Sequence, residues 1–201
     1  MSNLSSKSPN VRKMTMIAML SAVAFILMFL EISVPLMPGF IKMDFSELPA
    51  LIGAFSMGPA CGGIIVIIKN LLHLLVTNTG GVGELSNCLL GLCFVIPAGI
   101  LYARKKTRKR ALAGSVIGAV LMAVLSVPLN FFLVYPIYTA FMPMEAILGL
   151  YQAILPSADS LWKCLVIFNM PFTFLKGMIG VLITFFIYKH ISPIIKGKNH
   201  K

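Results

Sequence analysis

Long apolar runs broken by short charged or glycine-proline interruptions dominate the chain, and the spacing of the interruptions predicts six helices. The first run starts at Met14. No small-x-small cleavage site follows it before Glu31, so an uncleaved helix is expected over 14–32. Apolar sequence resumes at Leu48 and lasts to Thr77. As one helix it would measure roughly 45 Å against a hydrocarbon core of about 30 Å. Gly58-Pro59 lies inside this run, and proline starts helices better than it continues them, so two helices are expected, 46–57 and 59–77. Further helices are expected over 84–103, 111–136 and 164–188. Residues 137–163 are mixed in character and suit short interfacial helices. The ends, 1–13 and 189–201, are polar or basic.

Composition fixes the class as an all-α integral membrane protein, one domain embedded in a lipid bilayer. Hydrophobic residues make up 58% of 201, and mean hydropathy is +0.93. The net charge of +11 does not point to nucleic acid, because the Lys and Arg residues cluster between or beyond the apolar runs. Arg104–Arg110, with six cations in seven residues, reads as a cytoplasmic turn under the positive-inside rule. With six spans, this turn and both termini fall on the cytoplasmic side. Lys42, Asp44, Glu84, Glu145, Asp159 and Lys163 then fall outside. Cys61, Cys88, Cys93 and Cys164 match no zinc or redox spacing and read as small buried hydrophobes.

Candidate chemistry gathers in a few places. Lys42-Met-Asp-Phe-Ser-Glu-Leu-Pro49 holds three charges within six residues, which cannot face lipid. There Ser46 is the expected N-cap of the second helix, with Glu47 in its first turn. Lys69, Asn70, His73 and Thr77 share one face of the third helix, so that face must meet protein or a polar cavity. The glycines of 79–87 make a tight turn into Glu84, and the loop lacks the Gly-Lys-Ser/Thr ending of a phosphate cradle. In the last helix Asn169, Thr173 and Lys176 form a stripe. Lys176 lies near the bilayer midplane, where an unpartnered lysine costs about 2.5–3.5 kcal/mol.

No nucleotide, zinc-protease or serine-hydrolase motif is present, which speaks against an enzyme. An acid–base pair of His73 with Glu84 or Asp44 is the enzymatic alternative. Small amide and hydroxyl groups among Phe and Tyr suit a flat amphipathic ligand better than an ion.

The Lys42–Pro49 segment, the Gly58-Pro59 break, Lys69-Asn70 with His73, Gly83-Glu84 with Ser86-Asn87, Pro128-Leu-Asn130 and Pro171-Phe-Thr-Phe-Leu-Lys-Gly177 occur in this order along the chain. Together they resemble the riboflavin-specific substrate-binding (S) component of energy-coupling factor vitamin transporters. The resemblance runs from the first helix to the sixth. It implies a multi-pass protein of the bacterial plasma membrane that binds riboflavin at its external side under the loop between helices one and two. It leaves flavin mononucleotide open as a second ligand, and it implies no cofactor. The implied partners are a transmembrane coupling protein and two cytoplasmic ATPase subunits, met by helix one through Ala18 and Ala22.

The implied ligand-binding set is Asp44, Phe45, Glu84, Asn87, Asn130, Asn169, Thr173 and Lys176. Phe131, Tyr135 and Phe172 are added as aromatic walls, and Asp44 or Glu84 is expected to take ribityl hydroxyls near the opening. Where the family pattern has Asn, this chain has Thr173, which exchanges an amide for a hydroxyl. A stand-alone carrier or channel is the rival class. The chain shows no internal inverted repeat of the kind a self-sufficient transporter carries, and counterflow in liposomes separates the two.

Overall fold

Proline at a first helical position has its φ already set and its missing N–H costs nothing, and Pro9 opens α1 (Pro9–Met28). The computed structural model describes residues 9–196, with side chains described for 11–187. Of the expected tails, 1–8 and 197–201 lie outside the described residues. Helix α1 ends earlier than the apolar run suggests. Ile32–Ser33 (β1) instead pairs antiparallel with Lys42–Met43 (β2), with Ile32 opposite Met43. An exposed Lys42–Glu31 pair at 2.5 Å closes the same ribbon.

Helix α2 (Glu47–Met57) stops at Gly58, whose φ of 105° is a conformation glycine adopts readily. Pro59 then starts α3 (Pro59–His73), which tightens into a 3-10 turn over Leu74–Val76. Helix α4 (Val82–Arg104) and α5 (Arg108–Leu129) flank the basic turn, where the Thr107 side chain caps α5 by accepting the Arg110 N–H at 3.3 Å. Helix α5 continues through a π-helical turn, Asn130–Val134, into α6 (Tyr135–Tyr138). After α7 (Met144–Gln152), α8 (Leu161–Cys164) leads through a second π-helical turn, Leu165–Asn169, into α9 (Met170–Lys196). The last two long helical stretches, which begin at Arg108 and at Leu161, thus start before the ranges their apolar runs predict.

Among the described residues, five helical stretches are long and apolar enough to cross a membrane, while α2 is apolar but has 11 residues. Its length is about 16 Å. It is nonetheless the best-enclosed helix, with Glu47 through Phe55 all buried among α1, α3, α4 and α9. Small residues permit this. A Cβ at Gly62 would stand 2.6 Å from both Ala54 Cβ and Val95 Cγ1, so only glycine lets α3 lie this close to α2 and α4. Outward faces are apolar, as Val23, Ile26, Val124 and Leu182 illustrate, which suits contact with lipid. By connectivity, Arg104–Arg110 marks one end of the bundle. The six acidic residues, Glu31, Asp44, Glu47, Glu84, Glu145 and Asp159, lie towards the other.

Candidate functional site

At the acidic end, the helices and the 39–44 loop enclose a cavity of about 450 Å³. One polar wall comes from the two π-helical turns. A π turn holds one extra residue and so re-aims a side chain that a regular helix would send elsewhere. The first turn begins with Asn130 and the second ends with Asn169, both buried and both lining the cavity. Ser86 donates its hydroxyl to Asn130 Oδ1 at 3.1 Å, and Tyr151 donates to Asn169 Oδ1 at 2.7 Å. Because the Tyr151 proton goes to Asn169, the Tyr135 hydroxyl 2.5 Å away donates to Tyr151. With both amide oxygens held by protein hydroxyls, each asparagine keeps an NH₂ donor for the cavity.

A chain of buried charges forms a second wall. Lys176 Nζ donates to Asp44 Oδ2 at 2.7 Å and to Asn87 Oδ1 at 3.3 Å. Asp44 Oδ1 accepts the Ser46 N–H at 2.9 Å and also the Ser46 hydroxyl. Lys69, wholly buried, donates to the Ser46 hydroxyl and to Glu47 Oε1, the latter at 2.7 Å. The Glu47 carboxylate reaches this position over a glycine, since a Cβ at Gly91 would be 2.8 Å from each of its oxygens.

Three expectations change as a result. Ser46 makes no side-chain cap to α2, because its hydroxyl is engaged by Asp44 and Lys69. Asp44 is not a free acceptor at the opening but a buried ion-pair member, 8% exposed. Lys176 has a carboxylate partner within the protein. Burial pushes the Asp44 carboxyl up, but the Lys176 and then the Lys69 ammonium, with hydrogen bonds from Lys176 and Ser46, hold it well below the usual carboxylate range.

The third wall is built on the polar face of α3. His73 Nδ1 lies 2.7 Å from Glu84 Oε1, while Thr77 and Thr79 donate to Glu84 Oε2 at 2.9 and 3.2 Å. Phe25 of α1 and Phe29 just beyond its end pack against the His73 ring at centroid distances of 6.3 and 5.5 Å. The cavity-lining lysines thus each face a carboxylate, Lys42 facing Glu31 and Lys176 facing Asp44, while the His73 ring shares a hydrogen bond with Glu84. Such a site offers hydrogen bonds without a net excess of positive charge.

Asp44, Glu84, Asn87, Asn130, Asn169, Thr173 and Lys176, all expected from sequence, line this one cavity, with Tyr135 and Phe172 beside them. Two expected aromatics do not. Phe45 lines a small separate pocket that it shares with Asp44 and Lys176, and Phe131 stacks edge-on against Phe132 and Trp162 at 5.0 and 5.4 Å. Sequence reasoning missed Phe40 and Tyr138 as lining residues and Tyr151 as the support of Asn169. Ile147 and Tyr151, four apart and both wholly buried, are the signal that 144–152 packs inward. On α1, Ala18 and Ala22 are exposed, whereas Ser21 next to Ala22 is buried.

The family model described as "ECF transporter, substrate-specific component" matches residues 12–188. The riboflavin transporter RibU of Staphylococcus aureus (strain TCH60) is 29% identical over 185 residues, 92% of this chain and 93% of that protein. The riboflavin transporter FmnP of Bacillus subtilis (strain 168) is 30% identical over 190 residues, 92% of this chain and 95% of that one. RibU of Streptococcus thermophilus (strain ATCC BAA-250 / LMG 18311) is 33% identical over 196 residues, covering 92% and 85% respectively. A solved structure described as the S component of a bacterial ECF transporter superposes with a TM-score of 0.72 at 28% identity, covering 92% of this chain and 97% of that one.

Proposed function

This chain belongs to the substrate-specific components of ECF transporters, and from that footing we propose that it captures riboflavin in the cavity described above. The observation that carries the reading is the convergence of Asn130, Asn169 and Lys176 on one cavity with aromatic walls. An isoalloxazine ring has two wide apolar faces and one edge rich in acceptors. Tyr135 and Phe172 suit the faces. The asparagine NH₂ groups and the Lys176 N–H not used by Asp44 or Asn87 suit the edge. Glu84 and Asn87 are the acceptors for ribityl hydroxyls, and Thr173 adds a hydroxyl beside Lys176. The pairing of each cavity lysine with a carboxylate favours a neutral ligand of this kind over an anion.

In this reading the chain crosses the plasma membrane six times, with α2 as the short second span kept from lipid by its neighbours. Both termini and Arg104–Arg110 are cytoplasmic, and the cavity opens to the exterior. The chain has no nucleotide-binding motif, so the energy for uptake comes from two ATPase subunits through a transmembrane coupling protein. Exposed Ala18 and Ala22 give α1 a face smooth enough for that protein's helices to approach. The test is to isolate the protein from riboflavin-supplied cells and record its visible absorption. Flavin bands in proportion to protein are expected, and colourless protein that stays colourless after incubation with riboflavin would refute the reading.

A further inference from the structure

Lys69 is wholly buried and does not line the cavity, and neither does Ser46. Glu47 at 2.7 Å already neutralises the Lys69 charge, so the additional bond to the Ser46 hydroxyl is not needed for neutrality. Its consequence is directional. An ammonium donates and never accepts, and a hydroxyl has one proton. The Ser46 oxygen must therefore accept from Lys69, which sends the Ser46 proton to Asp44 Oδ1. The Ser46 N–H reaches the same oxygen at 2.9 Å. With Oδ1 occupied twice from inside the protein, Oδ2 is the oxygen left for Lys176, 132 residues further along the chain. Lys176 then gives one N–H to Asp44, one to Asn87, and has one left.

We propose that Lys69 and Ser46 are positioning residues for ligand binding: they fix the Asp44 carboxylate, which in turn aims the Lys176 ammonium into the cavity. The inference rests on the riboflavin site proposed above. It ties α3, the start of α2 and the 42–46 loop to α9 by one oriented chain of hydrogen bonds, so that the cavity wall depends on a lysine it does not contain.

The test uses the full chain, purified in detergent and titrated with riboflavin by flavin fluorescence. Ser46→Ala keeps every charge and removes only the relay. It should weaken binding roughly three- to tenfold, the range expected for one net hydrogen bond. Ser46→Thr, which keeps the hydroxyl, should restore binding. In a Lys176→Met background Ser46→Ala should have no further effect, since the two act as one unit. The charge-balanced variant Lys69→Met with Glu47→Gln should bind as weakly as Ser46→Ala.

Wild-type affinity for Ser46→Ala, or an effect that adds in full to that of Lys176→Met, would overturn the proposal. A ligand-free measurement separates its failure from failure of the riboflavin reading. Hydrogen exchange at the Ser46 amide should quicken in the Lys69→Met with Glu47→Gln variant, and unchanged exchange refutes the relay whatever the ligand. Absence of riboflavin binding by wild type, with quickened exchange in the variant, would overturn the ligand while leaving the relay in place.

Discussion

Replacing Lys176 by Met keeps side-chain length while deleting one charge, and its consequences can be worked from the partners. Lys176 and Asp44 meet at 2.7 Å with side chains 14% and 8% exposed, too little for water to screen them. Lys176→Met leaves Asp44 Oδ2 buried opposite a thioether and takes one donor from Asn87. Breaking a buried pair from one side costs about 3–5 kcal/mol, because the remaining charge is uncompensated. The single variant should therefore be visibly less stable, not merely a poorer binder.

Adding Asp44→Asn removes the stranded charge and should recover most of that stability. The double variant still lacks the ammonium. Losing one hydrogen bond from a charged donor costs about 1.5–3 kcal/mol, so riboflavin should bind roughly ten- to hundredfold more weakly. Thermal unfolding of purified protein reads the first effect and fluorescence titration the second. Unchanged stability in Lys176→Met would show that the pair is not formed. Wild-type affinity in the double variant would remove Lys176 from the ligand's contacts.

Three further outcomes are expected. In a cysteine-free background, single cysteines at the exposed Gly39 and Ser157 should react with an impermeant thiol reagent on intact cells, whereas one at Thr107 should react after lysis; early labelling at 107 would contradict the six-span orientation. The Asp44 carboxyl titrates below its ordinary 3.8, so the stabilisation it gives is present above that value and is lost only as pH falls through the lower folded one. The difference in thermal stability between wild type and Asp44→Asn should hence stay constant between about pH 5 and 8, and a difference that fades in that window would show another group titrating. Ala18→Trp with Ala22→Trp should abolish uptake yet leave riboflavin binding by the isolated chain intact; undiminished pull-down of the ATPase module would place the partner elsewhere.

The helices were readable because lipid contact demands long apolar runs, and charges can interrupt them only where they are covered by protein or meet water. That the second apolar run had to break followed from its length, and Gly58-Pro59 marked the place. The polar face of α3 was also readable, since Lys69, Asn70, His73 and Thr77 fall at helical spacing. Its partners were not: that Lys69 meets Glu47 and Ser46 while His73 meets Glu84 depends on which helices pack together, and periodicity within one helix is silent on that. For the same reason Ser46, a sound N-cap by residue type, was misjudged once a buried lysine and aspartate competed for its hydroxyl.

The amides at 130 and 169 were recognisable as candidates by their apolar surroundings. The π-helical turns that carry them emerge only from packing. Aromatic walls fared worst, because Phe45 lies in an irregular loop and Phe131 in a π turn, where the facing of a side chain has no simple period.

The central claim is that this cavity, and no other part of the chain, holds riboflavin. A flavin-fluorescence titration of three purified proteins tests it: wild type, Thr173→Phe, which fills the cavity from a buried position, and Leu175→Phe, which adds a ring on an exposed position two residues away. Wild type and Leu175→Phe should each quench one equivalent of riboflavin, and Thr173→Phe should quench none while remaining folded. Saturable binding by Thr173→Phe with the wild-type dissociation constant, or no binding by wild type, would contradict the account.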